Sequence, residues 1–334
     1  MTNPAVPAGE GASPSPARKS HKPGGRTLTF DKVSFFVVCL GVPLAVFLLF
    51  VIWPFVQAFY YSLTNWSGFS TSMQFIGLDN YVTLFTDDTF LKALRNNVLL
   101  ALVVPFVTLT LALALATMLT VGGRSTGAVQ GLRRSGLYRV ISFFPYAIPA
   151  IVIGLIWNQV YDPSAGLLNG ILTKLGISSA HGFPWLGDSR TAIWSVMFVI
   201  IWSMVGFYTI LFVAAIKGIP AELYDAARID GAGRLRTAFS VTIPLIRENV
   251  QTAYIYLGIL VLDAFVYMQA LEPGGGPQNS TLTMSQDLYV TAFQQSKFGL
   301  ASAMGVVLAL VTLTFAAVVF SVNRLAGGRT RAKA

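Results

Sequence analysis

The sequence predicts an all-α integral membrane protein with six transmembrane helices and both termini in the cytoplasm. Apolar residues make up 54% of the 334 residues and charged residues only 11%, with a mean hydropathy of +0.65. Soluble domains carry about a quarter charged residues, so this composition indicates a chain that lies mostly in lipid. Two further observations support that class: long uncharged runs, which need ~20 residues to cross a bilayer, and the placement of the basic residues.

The uncharged runs place the six helices along the chain. They lie near residues 33–60, 97–121, 138–161, 192–216, 250–271 and 299–323. With the N-terminus inside, the cytoplasmic segments hold 18 of the 23 Lys and Arg residues and the external loops hold 5. Lys and Arg accumulate on the cytoplasmic side of membrane proteins, which fixes the predicted orientation. The net charge of +9 follows from this rule and from anionic lipid, so no nucleic-acid partner is expected.

Three domains result from this reading. Residues 1–30 are rich in Pro, Gly, Ala and Ser with scattered basic residues, which predicts a disordered cytoplasmic tail. That tail has no apolar core and is therefore not a cleaved signal peptide. The membrane domain covers residues 31–325, with a polar loop over 217–249, and a short cytoplasmic tail covers 326–334.

Prolines mark two of the helices. Pro43 and Pro54 lie within the first run, and we expect each to bend or end the helix locally. Pro145 and Pro149 open the third run, four residues apart. Lipid cannot satisfy the carbonyls that such prolines free, whereas neighbouring helices or water can. This face of the third helix is therefore predicted to be buried within the bundle.

The polar loop between the fourth and fifth helices holds nine charged residues in its 33 positions. Pro220 is placed to open a helix there, and Glu222 and Asp225 would follow at the positive end of the helix dipole. Gly231 can end the helix in the left-handed conformation. Between them, alanines at 226 and 227 leave a face of small residues that would allow another backbone to approach. The alternative is an ordinary connecting helix with a local Asp225–Arg228 pair.

Asp263 is a carboxylate within the fifth predicted span. A charge at this depth costs at least ~2.5–3.5 kcal/mol, so it normally faces a partner or a water-filled cavity. Two uses are open: hydrogen bonding to a polar solute on a translocation path, or an internal bond to a neighbouring helix. Aromatic and polar side chains of the fourth and fifth spans complete the candidate path residues: Trp202, Tyr208, Asp263, Tyr267 and Gln269.

Catalytic and metal chemistry find little support in the sequence. The phosphate-binding pattern G-x-x-x-x-G-K-[ST] is absent, so the chain has no phosphate cradle of its own. His21 and His181 stand without the spacing of metal ligands. There is also no nucleophile–His–acid set, and the sequence therefore predicts neither an enzyme nor a bound cofactor or metal.

Several short motifs resemble those of a known transporter family. Residues 225–227 (Asp-Ala-Ala) and 230–232 (Asp-Gly-Ala), with Phe239 and Ile243-Pro244, resemble the EAA loop of binding-protein-dependent ABC importer permeases. The first acid of that motif is usually glutamate in the family, and here it is aspartate. Further segments resemble the carbohydrate-uptake, maltose-transporter-like branch of this family, at residues 62–66, 75–81, 143–146, 166–169, 184–186 and 273–281.

The resemblance implies a type I importer permease fold in the bacterial cytoplasmic membrane. It further implies a sugar importer built from this subunit, a second permease and two ATPase copies, with an extracellular binding protein that delivers the solute. ATP would be bound and hydrolysed by the separate ATPase. The ATPase-coupling residues carried over are Glu222, Asp225, Ala226, Ala227, Asp230 and Gly231. Overall similarity favours N-acetylglucosamine, chitobiose or another oligosaccharide as the solute.

One other function is consistent with a charged residue in a span. A self-contained secondary carrier would use Asp263 as its proton site. Such carriers usually show inverted repeats with broken helices in matching halves, and no such repeat is evident here. The polar loop at 217–249 is explained by the importer and not by the carrier.

Overall fold

The computed structural model describes residues 34–70, 72–121 and 135–331. Within these residues the chain is helical apart from turns, loops and one isolated β-bridge between Thr64 and Phe75. The predictions for the N-terminal tail, for Arg133 and Arg134 and for the last three residues lie outside the described part. The chain divides into two units, Met1–Phe55 and Val56–Ala334, and each is described by itself.

The first helix, α1 (Ser34–Tyr61), is apolar throughout and exposes every residue of its membrane-length window. It contains two π-helical turns, Val37–Gly41 and Leu48–Ile52. Each turn ends two residues before a proline, Pro43 or Pro54. A proline lacks an N–H and crowds the carbonyl of the preceding turn, and a π turn widens the helix at such a site. The prolines therefore loosen α1 locally without ending it.

The remaining helices belong to the second unit. They are α2 (Asp79–Thr86), α3 (Asp88–Val121), α4 (Ser135–Phe143), α5 (Ala150–Val160), α6 (Leu167–Lys174), α7 (Ala192–Lys217), α8 (Ala221–Ile229), α9 (Arg234–Thr237), α10 (Arg247–Leu262), α11 (Phe265–Leu271), α12 (Met284–Tyr289) and α13 (Phe298–Arg331). In the described residues four single helices are long and apolar enough to span a membrane, and two bent pairs raise the number to six if each pair is one span. All six predicted runs coincide with one of these segments.

The core of the second unit is built around α7, which packs against α3 and α4. Small residues allow the helices to approach closely, as is usual between membrane helices. A Cβ on Gly206 would overlap the backbone carbonyl of Ser142, and one on Gly154 would overlap the side chain of Ala270. Close backbone packing thus fixes α7 as the rigid centre of the bundle.

Two spans are broken, and each break has a physical cause. The segment Leu137–Ala147, which ends in the 3₁₀ turn Phe144–Ala147, meets α5 at an angle of 96°, because the prolines at 145 and 149 cannot continue the hydrogen-bond ladder. The second break, of 49°, separates α10 from α11 at Asp263. There the side chain of Asn97 donates to the Leu262 carbonyl at 2.7 Å, which satisfies an acceptor that the broken helix leaves free.

Candidate functional site

The polar loop folds as its sequence predicts. α8 follows Pro220, which caps it in an extended, polyproline-II-like conformation with φ of −54° and ψ of 134°, and Glu222 lies in its first turn. Gly231 ends the helix with φ of +71°. The N–H of Ala232 donates to the Ala227 carbonyl at 2.9 Å, and the N–H of Gly231 donates to the Arg228 carbonyl at 3.0 Å. This is a Schellman cap, which requires the left-handed residue that glycine supplies.

One face of α8, which carries Tyr224 and Ala227, is turned towards the chain itself. Tyr224 is buried, and its phenol hydrogen-bonds Thr242 at 3.2 Å. Burial raises the pKa of the Tyr224 phenol, so it stays neutral. Ala227 is also buried, with only 9% of its surface exposed. In the single chain the side chain of Ala227 is turned towards the chain itself, and its predicted place among the ATPase-coupling residues stays a prediction.

The opposite face carries the other predicted coupling residues. These are exposed: Glu222, Asp225, Ala226, Asp230 and Gly231. Arg228 pairs with Asp225 at 3.1 Å. Both side chains of this pair are substantially exposed, so the pair contributes only about 0.2–0.5 kcal/mol to the helix. The acids are therefore available for another partner at little cost.

Large apolar side chains are also exposed in this loop, and of these only Phe239 belongs to the motif described above. Ile229 is 87% exposed and Leu235 is 77% exposed, and Phe239, Leu223 and Leu245 are exposed as well. We call these five the apolar loop residues. Exposed apolar side chains of this size are typical of a surface that contacts another protein or the membrane. The sequence signals these residues by placing large apolar side chains among the charged residues of the loop.

The five candidate path residues separate into different environments. Tyr208 and Tyr267 are buried in the core, and the Tyr267 hydroxyl lies 3.0 Å from that of Ser203. In this conformation their own chain covers both tyrosines, and their place on a translocation path stays a prediction. Trp202 is half-buried and meets Trp157 edge to face at 5.3 Å. Gln269 is half-buried and accepts a 3.4 Å bond from Gln286.

Asp263 is the exposed member of the five. It lies at the break between α10 and α11, and Tyr256, Ile259 and Val266 are exposed at helical spacing from it. We call these four residues the Asp263 stripe. Among the described residues no hydrogen bond or ion pair reaches the Asp263 carboxylate, so the internal bond considered above is not formed in this structure. Because a carboxylate is costly in lipid, the Asp263 stripe is a candidate for facing a polar cavity or another subunit. Tyr256, seven residues before Asp263, is a member that sequence reasoning missed.

The second unit combines a bundle of apolar helices, two broken spans, an exposed polar loop helix and a charged residue that faces outwards. These features are typical of a polytopic transport protein. Residues 119–332 match the family described as binding-protein-dependent transport system inner membrane component, and the chain belongs to this family. It is accordingly an inner-membrane transport component, and not an enzyme.

Individual relatives agree with the family. The chain is 60% identical over 325 residues to the diacetylchitobiose uptake system permease protein NgcF of Streptomyces coelicolor, covering 97% of this chain and 92% of that one. It is 31% identical to the multiple sugar-binding transport system permease protein MsmF of Streptococcus mutans, covering 81% and 89%. A chain in the crystal structure of a bacterial ABC transporter for alginate import superposes with a TM-score of 0.70 at 22% identity, covering 88% and 96%. That likeness shows the fold.

Proposed function

We propose that the chain is one permease subunit of an ATP-driven sugar importer, and that its solute is a chitooligosaccharide of the diacetylchitobiose class. The observation that carries the proposal is the 60% identity, over 97% of the chain, to a diacetylchitobiose uptake permease. Diacetylchitobiose presents hydroxyl and amide N–H donors on two sugar rings. A carboxylate is an acceptor for such donors, and charge-assisted bonds are the stronger ones, so Asp263 fits this class of solute.

The importer would have four kinds of component. This subunit and a second permease would enclose the translocation path, with the Asp263 stripe on the side that faces the path. Two copies of an ATPase subunit would bind and hydrolyse ATP, and an extracellular binding protein would deliver the sugar. The chain itself would hold no cofactor.

The exposed side of the polar loop is proposed to dock the ATPase. The apolar loop residues would be buried in that interface, and Asp225 would provide a charge-assisted bond beside the small Ala226. Tyr224 and Ala227 would hold α8 against its own chain, so that a displacement of α8 is passed to the bundle. ATPase closure would then switch the bundle between inward and outward access as a rigid-body movement.

The docking proposal requires the polar loop to be cytoplasmic, as the distribution of basic residues predicts. Cysteines in place of Arg234 and Leu175, which is 74% exposed after α6, test this with an impermeant thiol reagent in intact cells. We expect Leu175→Cys to react and Arg234→Cys to be protected until the cells are opened. Gly275 is a poor alternative for the external position, because its φ is +89° and a Cβ there would lie 2.7 Å from Leu282. Labelling of Arg234→Cys from outside would overturn the orientation.

Transport in proteoliposomes tests the proposed function. The assembled complex would be reconstituted with ATP inside and the binding protein with labelled diacetylchitobiose outside. We expect uptake that requires ATP, persists when a protonophore collapses the proton gradient, and is not reduced by excess maltose. An ATPase variant that binds but does not hydrolyse ATP is the matched control. Uptake that continues without ATP and stops with the protonophore would instead support the carrier that uses Asp263.

A further inference from the structure

The turn between α11 and α12 encloses a polar site that the proposed transport function does not use. Three consecutive glycines, Gly274, Gly275 and Gly276, have φ of 78°, 89° and 68°, a conformation that other residues rarely adopt. They fold the turn back over Glu272, the residue that follows α11. Glu272 is thereby only 8% exposed although it carries a carboxylate.

Two oxygens of this turn lie close to Gly276, on the side where another residue would carry its Cβ. A Cβ built on Gly276 would lie 2.6 Å from the Thr281 hydroxyl and 2.9 Å from Glu272 Oε2. Glycine is thus required here for space as well as for conformation. Thr281 is 0% exposed. Its hydroxyl and the second carboxylate oxygen, Glu272 Oε1, are both buried without a hydrogen-bond partner, and a buried polar atom of this kind calls for an explanation.

The surrounding donors are directed elsewhere. Asn96 donates to the carbonyls of Ser280 and Leu282, at 3.1 and 2.9 Å. Gln286 donates to the backbone carbonyl of Glu272 at 3.0 Å, and not to its carboxylate. Lys92 donates to the Gln278 carbonyl of the same turn, and no Lys or Arg of the described residues forms an ion pair with Glu272.

An ionised carboxylate is costly to bury without compensation. The ionised form of the buried Glu272 carboxylate therefore needs a positive charge close by. The oxygens that the turn offers without a partner are one carboxylate oxygen of Glu272 and the hydroxyl of Thr281. Such an all-oxygen set suits hard cations rather than soft metals. One carboxylate balances one positive charge, which favours a monovalent ion over a divalent one.

We propose that Glu272 and Thr281 form a binding site for a single monovalent cation, sodium, in the turn between α11 and α12. The ion would lie between the Glu272 carboxylate and the Thr281 hydroxyl and would tie residues 272–281 to the end of α11. The site does not depend on the proposed sugar or on the docking of an ATPase. Because a cation that binds only the folded state stabilises it, the site is detectable as sodium-dependent stability.

Thermal unfolding of the purified full-length protein in its complex tests the site. Unfolding midpoints would be compared in sodium chloride and in choline chloride at equal ionic strength, with a chelator present. We expect the wild type to unfold about 2–4 °C higher in sodium, and Glu272→Gln to lose this difference. Glu248→Gln is the matched control, since it makes the same chemical change at an exposed position of α10 and should keep the full sodium effect.

Thr281→Val provides a second test if Glu272→Gln does not fold. It removes one hydroxyl ligand at nearly constant shape, and we expect the sodium concentration for half-maximal stabilisation to rise several-fold. Equal midpoints of the wild type in sodium and choline would overturn the proposal. A sodium effect of the same size in the wild type and in both variants would also overturn the proposal. Stabilisation by added calcium without any response to sodium would contradict the assignment to a monovalent ion.

Discussion

The polar loop, residues 217–249, and the broken span formed by α10 and α11 expose opposite kinds of side chain. The loop exposes Ile229 and Leu235 among charged residues, in a segment predicted to lie in water. The broken span exposes Asp263 within a segment composed for lipid. Each exposed residue is unfavourable in the medium around the single chain. The comparison supports the proposal that both regions are completed in the assembled importer: the loop by an apolar partner surface and the span by a polar path.

The largest effect is expected at the end of α8. Gly231→Leu places a branched side chain at φ of +71°, where L-residues are strained by roughly 1–2 kcal/mol, and it disturbs the loop surface. The spans are held by lipid and by each other, so we expect normal abundance in the membrane. Transport should fall close to zero and the ATPase should co-purify poorly.

Gly231→Asn is the matched control for that substitution, because asparagine tolerates the left-handed conformation. It should retain much more transport than Gly231→Leu at the same abundance. Normal transport by Gly231→Leu with its ATPase attached would show that the loop is only a connector.

The apolar loop residues give the next largest effect. Leu235→Asp places a charge where we expect an apolar interface, and burying an unpaired charge is costly. We expect ATPase binding to weaken about tenfold or more, measured by co-purification across a range of ATPase concentrations. Leu175→Asp is the control, because Leu175 is 74% exposed and Leu235 77% exposed. An equal loss of ATPase with both variants would argue against a specific surface.

A smaller effect is expected at Asp263. Asp263→Asn keeps the size of the side chain and removes the charge, which weakens each hydrogen bond it accepts by about 1 kcal/mol. We expect normal abundance and ATPase binding, with the apparent affinity for the sugar reduced roughly fivefold to tenfold in uptake assays. Reduced abundance with unchanged affinity would instead indicate that Asp263 is paired with a neighbouring helix.

The smallest effect is expected at Asp225. Asp225→Glu keeps the charge and lengthens the side chain, and the existing pair with Arg228 is exposed and weak. Transport should stay within about twofold of the wild type. Asp225→Ala, which removes the charge, should lower transport further, and an Asp225→Ala variant with wild-type transport would exclude a charge-assisted bond at this position.

Composition and hydropathy predicted the fold class and the place of the long apolar helical segments, because lipid imposes length and apolarity on any segment that crosses it. The local structure of α8 was also predictable, since Pro220 and Gly231 act through backbone conformation. The 96° break before α5 was not predicted. Prolines at 145 and 149 signal a disturbed helix, but the size of the bend depends on what packs against it.

The sequence could not separate the two faces of a helix that is apolar or small all round. Ala226 and Ala227 are adjacent and chemically identical, yet only Ala227 faces its own chain. In the same way Tyr208 and Tyr267 are buried, while Tyr256 is exposed. Spacing tells which residues share a face and not which face is inside, because that depends on helices distant in sequence. The motif resemblance drew attention to the acids and alanines of the loop and missed Ile229 and Leu235.

Thiol labelling of Leu235→Cys tests the central claim most directly. Cys39 is the single cysteine of the chain, so a Cys39→Ala background provides one reactive site at a time. Reaction with a maleimide would be followed for the permease alone and for the complex with its ATPase, with Leu175→Cys as the control. The account predicts that Leu235→Cys reacts in the permease alone and is protected in the complex, while Leu175→Cys reacts equally in both. Equal reactivity of Leu235→Cys with and without the ATPase would contradict it.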